Sequence, residues 1–166
     1  VLYVTPDTPA DLSGNLFAAS DIARAEASNY TLERALPSSA RIDALQRMSS
    51  GDWLVSLEAP TTLGGVLYDP RDVLRYNGAA FSLYFNGAAN GIPAGVNVDA
   101  IALNGSDTGP LLLSVDVPAR IAGLDVEPSD VLRFSAGTYT LFFDASAATP
   151  AIPAYSNVVG LDKAPF

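Results

Sequence analysis

The chain has 166 residues, 49 % of them apolar, and carries 18 Asp and Glu against 9 Lys and Arg for a net charge of −9. That length suits one domain, 1–166, around one core, and no apolar run approaches the ~20 residues that span a bilayer. The basic residues are scattered and Lys163 is the only lysine, so the clustered positive charge that nucleic acid or anionic lipid requires is missing.

In chain order the first expected strands are 1–5, 23–25 and 30–34. Stretches 18–27 and 42–48 tolerate a helix, but their better-defined counterparts further along read as strands, so they are assigned to strands too. A strand at 42–45 follows, then the turn Ser49-Ser50-Gly51, then strands at 53–58 and 72–76. Asn77-Gly78 marks a hairpin into the aromatic strand 81–86. The same order returns as 98–103, a turn at 104–107, 111–116, 130–134, the hairpin Ala136-Gly137 and 139–144. The last expected strand is 157–161.

This order is an internal repeat. Shifted by 58 positions, residues 54–87 fall on 112–145 without a gap, and Leu54, Ser56, Pro60, Gly65, Pro70, Asp72, Val73, Leu74, Arg75, Leu83 and Phe85 meet identical residues. Shifted by 51, residues 3–34 fall on 54–85, and Val4, Pro9, Leu12, Gly14, Asp21, Arg24 and Leu32 match. The repeats run approximately 1–51, 52–107 and 108–166, the first having drifted most. Grouping strands by their short turns gives two complete four-stranded units. The strands left over, 157–161 from the end and three from the start, supply a third. Pairing of the terminal strands then closes the series and removes an open sheet edge.

The order x-Asp-Ala-[Leu/Ile], turn, Leu-[Val/Leu]-Ser-x-[Glu/Asp], Asp-Val-Leu-Arg-[Tyr/Phe], aromatic strand resembles a β-propeller blade. It is most similar to the loose repeats of secreted bacterial propellers. The resemblance implies an all-β, propeller-like ring of three blades, or of six in a dimer. Three-fold repetition is equally a property of the β-trefoil and the β-prism, which stand as alternatives.

Chemistry is limited by what is missing. There is no cysteine and no histidine, hence no disulfide, no thiolate nucleophile, and neither the commonest general base nor the commonest metal ligand. No Gly-x-Ser-x-Gly, phosphate-binding loop or dinucleotide fingerprint occurs. Asp21, Asp72 and Asp130 each precede an arginine by three positions, Arg24, Arg75 and Arg133, and positions three apart on a strand face opposite ways. These pairs read as structural, linking neighbouring copies or capping turns. Asp43, Asp99 and Asn157 begin the strands placed innermost, where oxygen ligands could gather a hard cation such as calcium or hydrogen-bond a sugar. No dedicated calcium loop is present, and no cofactor is otherwise implied. Tyr76, Tyr84, Phe85, Phe134, Phe142 and Phe143 are expected mostly in the core, and the first copy carries Glu33 and Arg34 on its outer strand instead. Trp53, at a strand start, is a candidate interface anchor.

The composition points to a non-catalytic binding or assembly module that self-associates or meets a protein partner, without membrane insertion or nucleic acid. A lectin-like binder with one site per repeat and a carboxylate-dependent hydrolase or lyase are the alternatives. The chain starts at Val1 without a charged n-region or apolar h-region. The expectation is a secreted or periplasmic protein whose signal peptide has been removed.

Overall fold

Short runs of branched and aromatic side chains, interrupted every few positions by Gly, Pro, Asn or Asp, favour strands over helices here. The computed structural model describes residues 1–27, 29–153 and 155–161, and these form 17 strands and no helix. The first stretch holds β1 (Leu2–Val4), β2 (Ala10–Leu12), β3 (Asn15–Phe17), β4 (Asp21–Glu26) and β5 (Asn29–Ala35). The second holds β6 (Ile42–Arg47), β7 (Trp53–Leu57), β8 (Thr61–Leu63), β9 (Val66–Tyr68), β10 (Val73–Tyr76) and β11 (Phe81–Phe85). The third holds β12 (Val98–Leu103), β13 (Leu111–Val115), β14 (Ala119–Ile121), β15 (Leu124–Val126), β16 (Val131–Ser135) and β17 (Thr138–Phe143).

Two antiparallel four-stranded sheets result, ordered β6-β7-β10-β11 and β12-β13-β16-β17. They share a register: Leu74 lies opposite Val55 in one, and Leu132 opposite Leu113 in the other. A third sheet has only three strands, β1-β4-β5. A bulge interrupts the outer pairing of all three sheets, between Ile22 and Ala23, Val73 and Leu74, and Val131 and Leu132. The chain makes a small separate hairpin in each stretch: β8-β9 and β14-β15 between the second and third strands of the four-stranded sheets, and β2-β3 between β1 and β4 of the three-stranded one. Their turns, Ser13-Gly14, Gly64-Gly65 and Ala122-Gly123, have two successive positive φ angles, the twist that suits a two-residue hairpin. These hairpins were not among the expected strands. A glycine at the second turn position, between apolar residues, is their common signal.

The sheets are layered through two apolar interfaces. Side chains alternate along each strand, so successive residues of β7 serve different layers. Trp53, Val55 and Leu57 pack with Ile22, Leu36, Ala40 and Leu74, while Leu54 packs with Phe85, Val98, Ile101, Leu113 and Leu132. β7, β12 and β13 are consequently buried on both faces, which explains their near-continuous apolar sequence. The far face of the third stretch's sheet, with Ala102, Leu112 and Val131, is buried too, and Leu161 of the tail packs against it.

Two expectations change. Residues 157–161 form no strand and no ladder with β1. Their backbone bonds go elsewhere, as Val158 N–H donates to the Pro128 carbonyl at 3.0 Å. The aromatics of β17 are also not core: Phe142 and Phe143 are exposed, and Tyr139 is the buried ring of that strand. β17 is the outermost strand of its sheet, so its pleat has no second neighbour to cover it.

Candidate functional site

The recurring aspartates sit at turns. Asp72 receives the Asp69 amide at 3.0 Å and the Gly87 amide at 3.0 Å, and Asp130 receives the Glu127 and Ala145 amides, both at 2.9 Å. Among the described residues, Asp21 receives the Ala18 amide, at 2.8 Å. Each carboxylate closes the turn into its strand, and the first two also tie down the chain leaving the next strand. The arginines diverge. Arg24 bonds Glu26, Arg75 donates Nε–H to Asp52 at 2.6 Å, and Arg133 makes no ion pair among the described residues. Neither Arg24 nor Arg75 bridges one stretch to another.

Trp53 does not offer itself to an external partner. It is 1 % exposed and meets Tyr3 edge-on at 4.9 Å between ring centroids, with the Arg47 guanidinium over both rings. It seals the joint between β1 and β7, because an indole at that strand start lies where two sheets meet. Arg47 also bonds the Tyr3 hydroxyl and pairs with Glu33 of β5 at 3.1 Å. Glu33 therefore helps hold Arg47 over the Tyr3 and Trp53 rings.

The polar strand-start residues gather where the stretches join. β6 and β12 run side by side, and Leu103 N–H donates to Gln46 Oε1 at 2.5 Å. Just before β12, Asn97 donates its side-chain amide to Asp43. Just before the tail, Asn157 lies beside the Asp99 carboxyl in the same relation. Backbone bonds fix the register, since Val98 N–H donates to Pro70 O at 3.2 Å and Val158 N–H to Pro128 O at 3.0 Å. Val158 thus corresponds to Val98, and Asn157 to Asn97. The expectation that Asn157 shares the place of Asp43 and Asp99 is one residue out, and the exposed Val159 stands there instead. Among the described residues no three acidic side chains are grouped to hold a metal ion.

Burial is the main force on both carboxyls. It raises Asp43 above the usual aspartate range, helped by the nearby charges of Glu58 and Asp116 and opposed by the Asn97 amide. It raises Asp99 likewise, opposed by Ser114 and Asn157 and helped by the charge of Asp43. Asp99 Oδ2 and Asn97 Oδ1 are buried and have no hydrogen bond of normal geometry.

A cleft of about 370 Å³ opens beside this junction, lined by Leu2–Thr5 of the first stretch, Asp43–Leu45 of β6, Ile101 and the tail residues 159–161. Head and tail are therefore neighbours across a groove. Asp43 lines it and Asp99 does not. A second cleft of about 280 Å³ lies between Tyr84, Thr108–Leu111 and Phe134–Ala136.

The outer surface carries apolar side chains in unusual places. Leu16 is 81 % and Leu67 69 % exposed, each on a hairpin of the same type, and Val66, Leu83 and Phe142 are exposed as well. Sequence reasoning missed Leu16 and Leu67 because the hairpins that present them were not foreseen. No protein-family model matches the chain, and no curated protein or solved structure matches it.

Proposed function

We propose that the chain is a non-catalytic binding or assembly module, secreted or periplasmic, built on three copies of one four-stranded unit in a propeller-like ring. The equal register of two sheets, the three bulges and the three like hairpins support common descent of the units. Burial of the far face of the third stretch's sheet, with Leu161 against it, supports closure by distant parts of the chain. The tail also continues the step by which β12 follows the second stretch.

The observation that carries the functional reading is the exposure of Leu16 and Leu67 on a molecule of net charge −9. Charge keeps such a chain dispersed, while exposed leucines cost solubility unless something covers them. Two hairpins of one type presenting leucine suit a protein partner or a second copy, the latter giving a six-unit ring. Sedimentation velocity over a wide concentration range tests this. Self-association abolished by Leu67→Glu and untouched by Arg120→Glu supports it. A chain that stays monomeric, and that cross-links to no neighbour in the cells that make it, refutes it.

A lectin-like reading draws on the second cleft, where Tyr84 stands beside Thr108 and Ser135. Binding on a glycan array that is lost with Tyr84→Ala would favour it over assembly.

A further inference from the structure

We propose that Asp99 carries a proton in the folded chain, and that this proton latches the tail onto β13 in a pH-dependent way. The argument starts from one hydrogen atom. Ser114 is fully buried, and its Oγ lies 2.8 Å from Asp99 Oδ1 and 2.7 Å from the Val158 carbonyl oxygen. A hydroxyl has one hydrogen, whereas an ionised carboxylate and a carbonyl can only accept. With Asp99 ionised, one of these two short contacts has no hydrogen. With Asp99 protonated on Oδ1, the acid donates to Ser114 Oγ and the Ser114 hydrogen goes to Val158, so both contacts are satisfied.

The surroundings favour the neutral acid. Asp99 is 3 % exposed. Asp43 faces it from β6, with Glu58 and Asp116 adding negative charge to Asp43. Arg41 is occupied by Glu58 at 2.7 Å, and among the described residues no ion pair reaches Asp43 or Asp99. The Asn157 amide works the other way, favouring the ionised form of Asp99, as Asn97 does for Asp43, but burial is the larger influence and raises both.

A group whose folded pKa is raised stabilises the fold below its unfolded pKa and loses that contribution as pH climbs through the folded one. On ionisation the Ser114 hydrogen turns to the carboxylate. The Val158 carbonyl is left without its donor, and the tail keeps the Val158–Pro128 bond. The tail wall of the 370 Å³ cleft, 159–161, then loosens.

Hydrogen exchange of the tail read by mass spectrometry, corrected for intrinsic rates, tests this between about pH 4 and about pH 8. Tail protection in the wild type falls with rising pH, by about tenfold for each unit by which Asp99 titrates above its usual range. Asp99→Asn donates N–H to Ser114 at every pH, so its tail protection stays flat and high. Ser114→Ala lacks the relay and is low throughout. A flat wild-type profile, or a wild-type slope retained in Asp99→Asn, overturns the proposal. Restoration of protection at high pH by calcium chloride, but not by sodium chloride of equal ionic strength, also overturns it, since a cation then does the neutralising. Should Asp99→Asn fail to fold, carboxyl-carbon NMR of the wild type decides: titration of Asp99 in the ordinary aspartate range refutes the latch.

Discussion

Replacing the turn carboxylates with alanine should split the three stretches by burial. Asp72 is 7 % and Asp130 5 % exposed, and each accepts two backbone amides at 2.9–3.0 Å. Alanine leaves both amides unpaired in a place water reaches poorly. A hydrogen bond to a charged acceptor contributes about 1.5–3 kcal/mol, so Asp72→Ala and Asp130→Ala should each cost about 3–6 kcal/mol. Asp21 is only half-buried and accepts one amide, which water can reach, so Asp21→Ala should cost about 1 kcal/mol. Urea unfolding followed by tryptophan fluorescence measures this directly. With a slope near 2 kcal/mol/M, the midpoint drops by about 2 M for the first two variants and by about 0.5 M for the third. Asp72→Asn keeps one acceptor but turns an N–H₂ toward an amide N–H, and should fall between alanine and wild type. Equal losses at Asp21 and Asp130, or a loss below about 1 kcal/mol at Asp72, would show that these carboxylates do not hold the turns.

Trp53 fills the joint with Tyr3, so Trp53→Ala should cost about 3–5 kcal/mol, read by urea unfolding followed by far-UV circular dichroism because Trp53 is the only tryptophan. Its indole N–H is buried and unpaired, so Trp53→Phe should cost well under half of that. Gly123 holds φ at 88°, and Gly123→Val should destabilise by about 1–2 kcal/mol through backbone strain although a Cβ there meets open space. Asp107 accepts the Ser49 and Ser50 amides at 3.0 and 3.1 Å and the Ser49 hydroxyl at 2.7 Å, which hold its carboxyl below the usual range. Its contribution is present above the unfolded aspartate pKa and lost as pH falls through the lowered value. Exchange of the Ser49 and Ser50 amides should therefore accelerate in acid, and Asp107→Ala should remove that dependence.

Much of the fold was legible because its signals are local. The strands of the second and third stretches follow from apolar alternation and turn residues, and β10, β11, β16 and β17 fall within one or two residues of expectation. The hairpins were hidden by their size, since three-residue strands are too short for a period to declare itself. Trp53 misled for a related reason. A strand-start aromatic looks the same whether it faces a partner or a neighbouring sheet, and only the placement of Tyr3, fifty residues away, distinguishes them. The exposed phenylalanines of β17 were read as core because alternation identifies two faces but not which of them lacks a covering layer.

The tail shows how far a one-residue error reaches. Side chains alternate along an extended chain, so moving Asn157 by one place exchanges every face from 157 to 161. In the register the backbone bonds impose, the place held by Asp43 and Asp99 falls to Val159. Three acidic or amide groups around an axis would repel or bind a cation symmetrically. Asp43 and Asp99, each beside one asparagine, meet at one junction, where a proton on Asp99 leaves Asp43 as the one ionised carboxyl of the pair. That junction is where the tail docks, and Asp99 is 3 % exposed there. Asp99 is a buried acid with the Ser114 hydroxyl between it and the Val158 carbonyl, which makes this junction the place to look for the proposed latch.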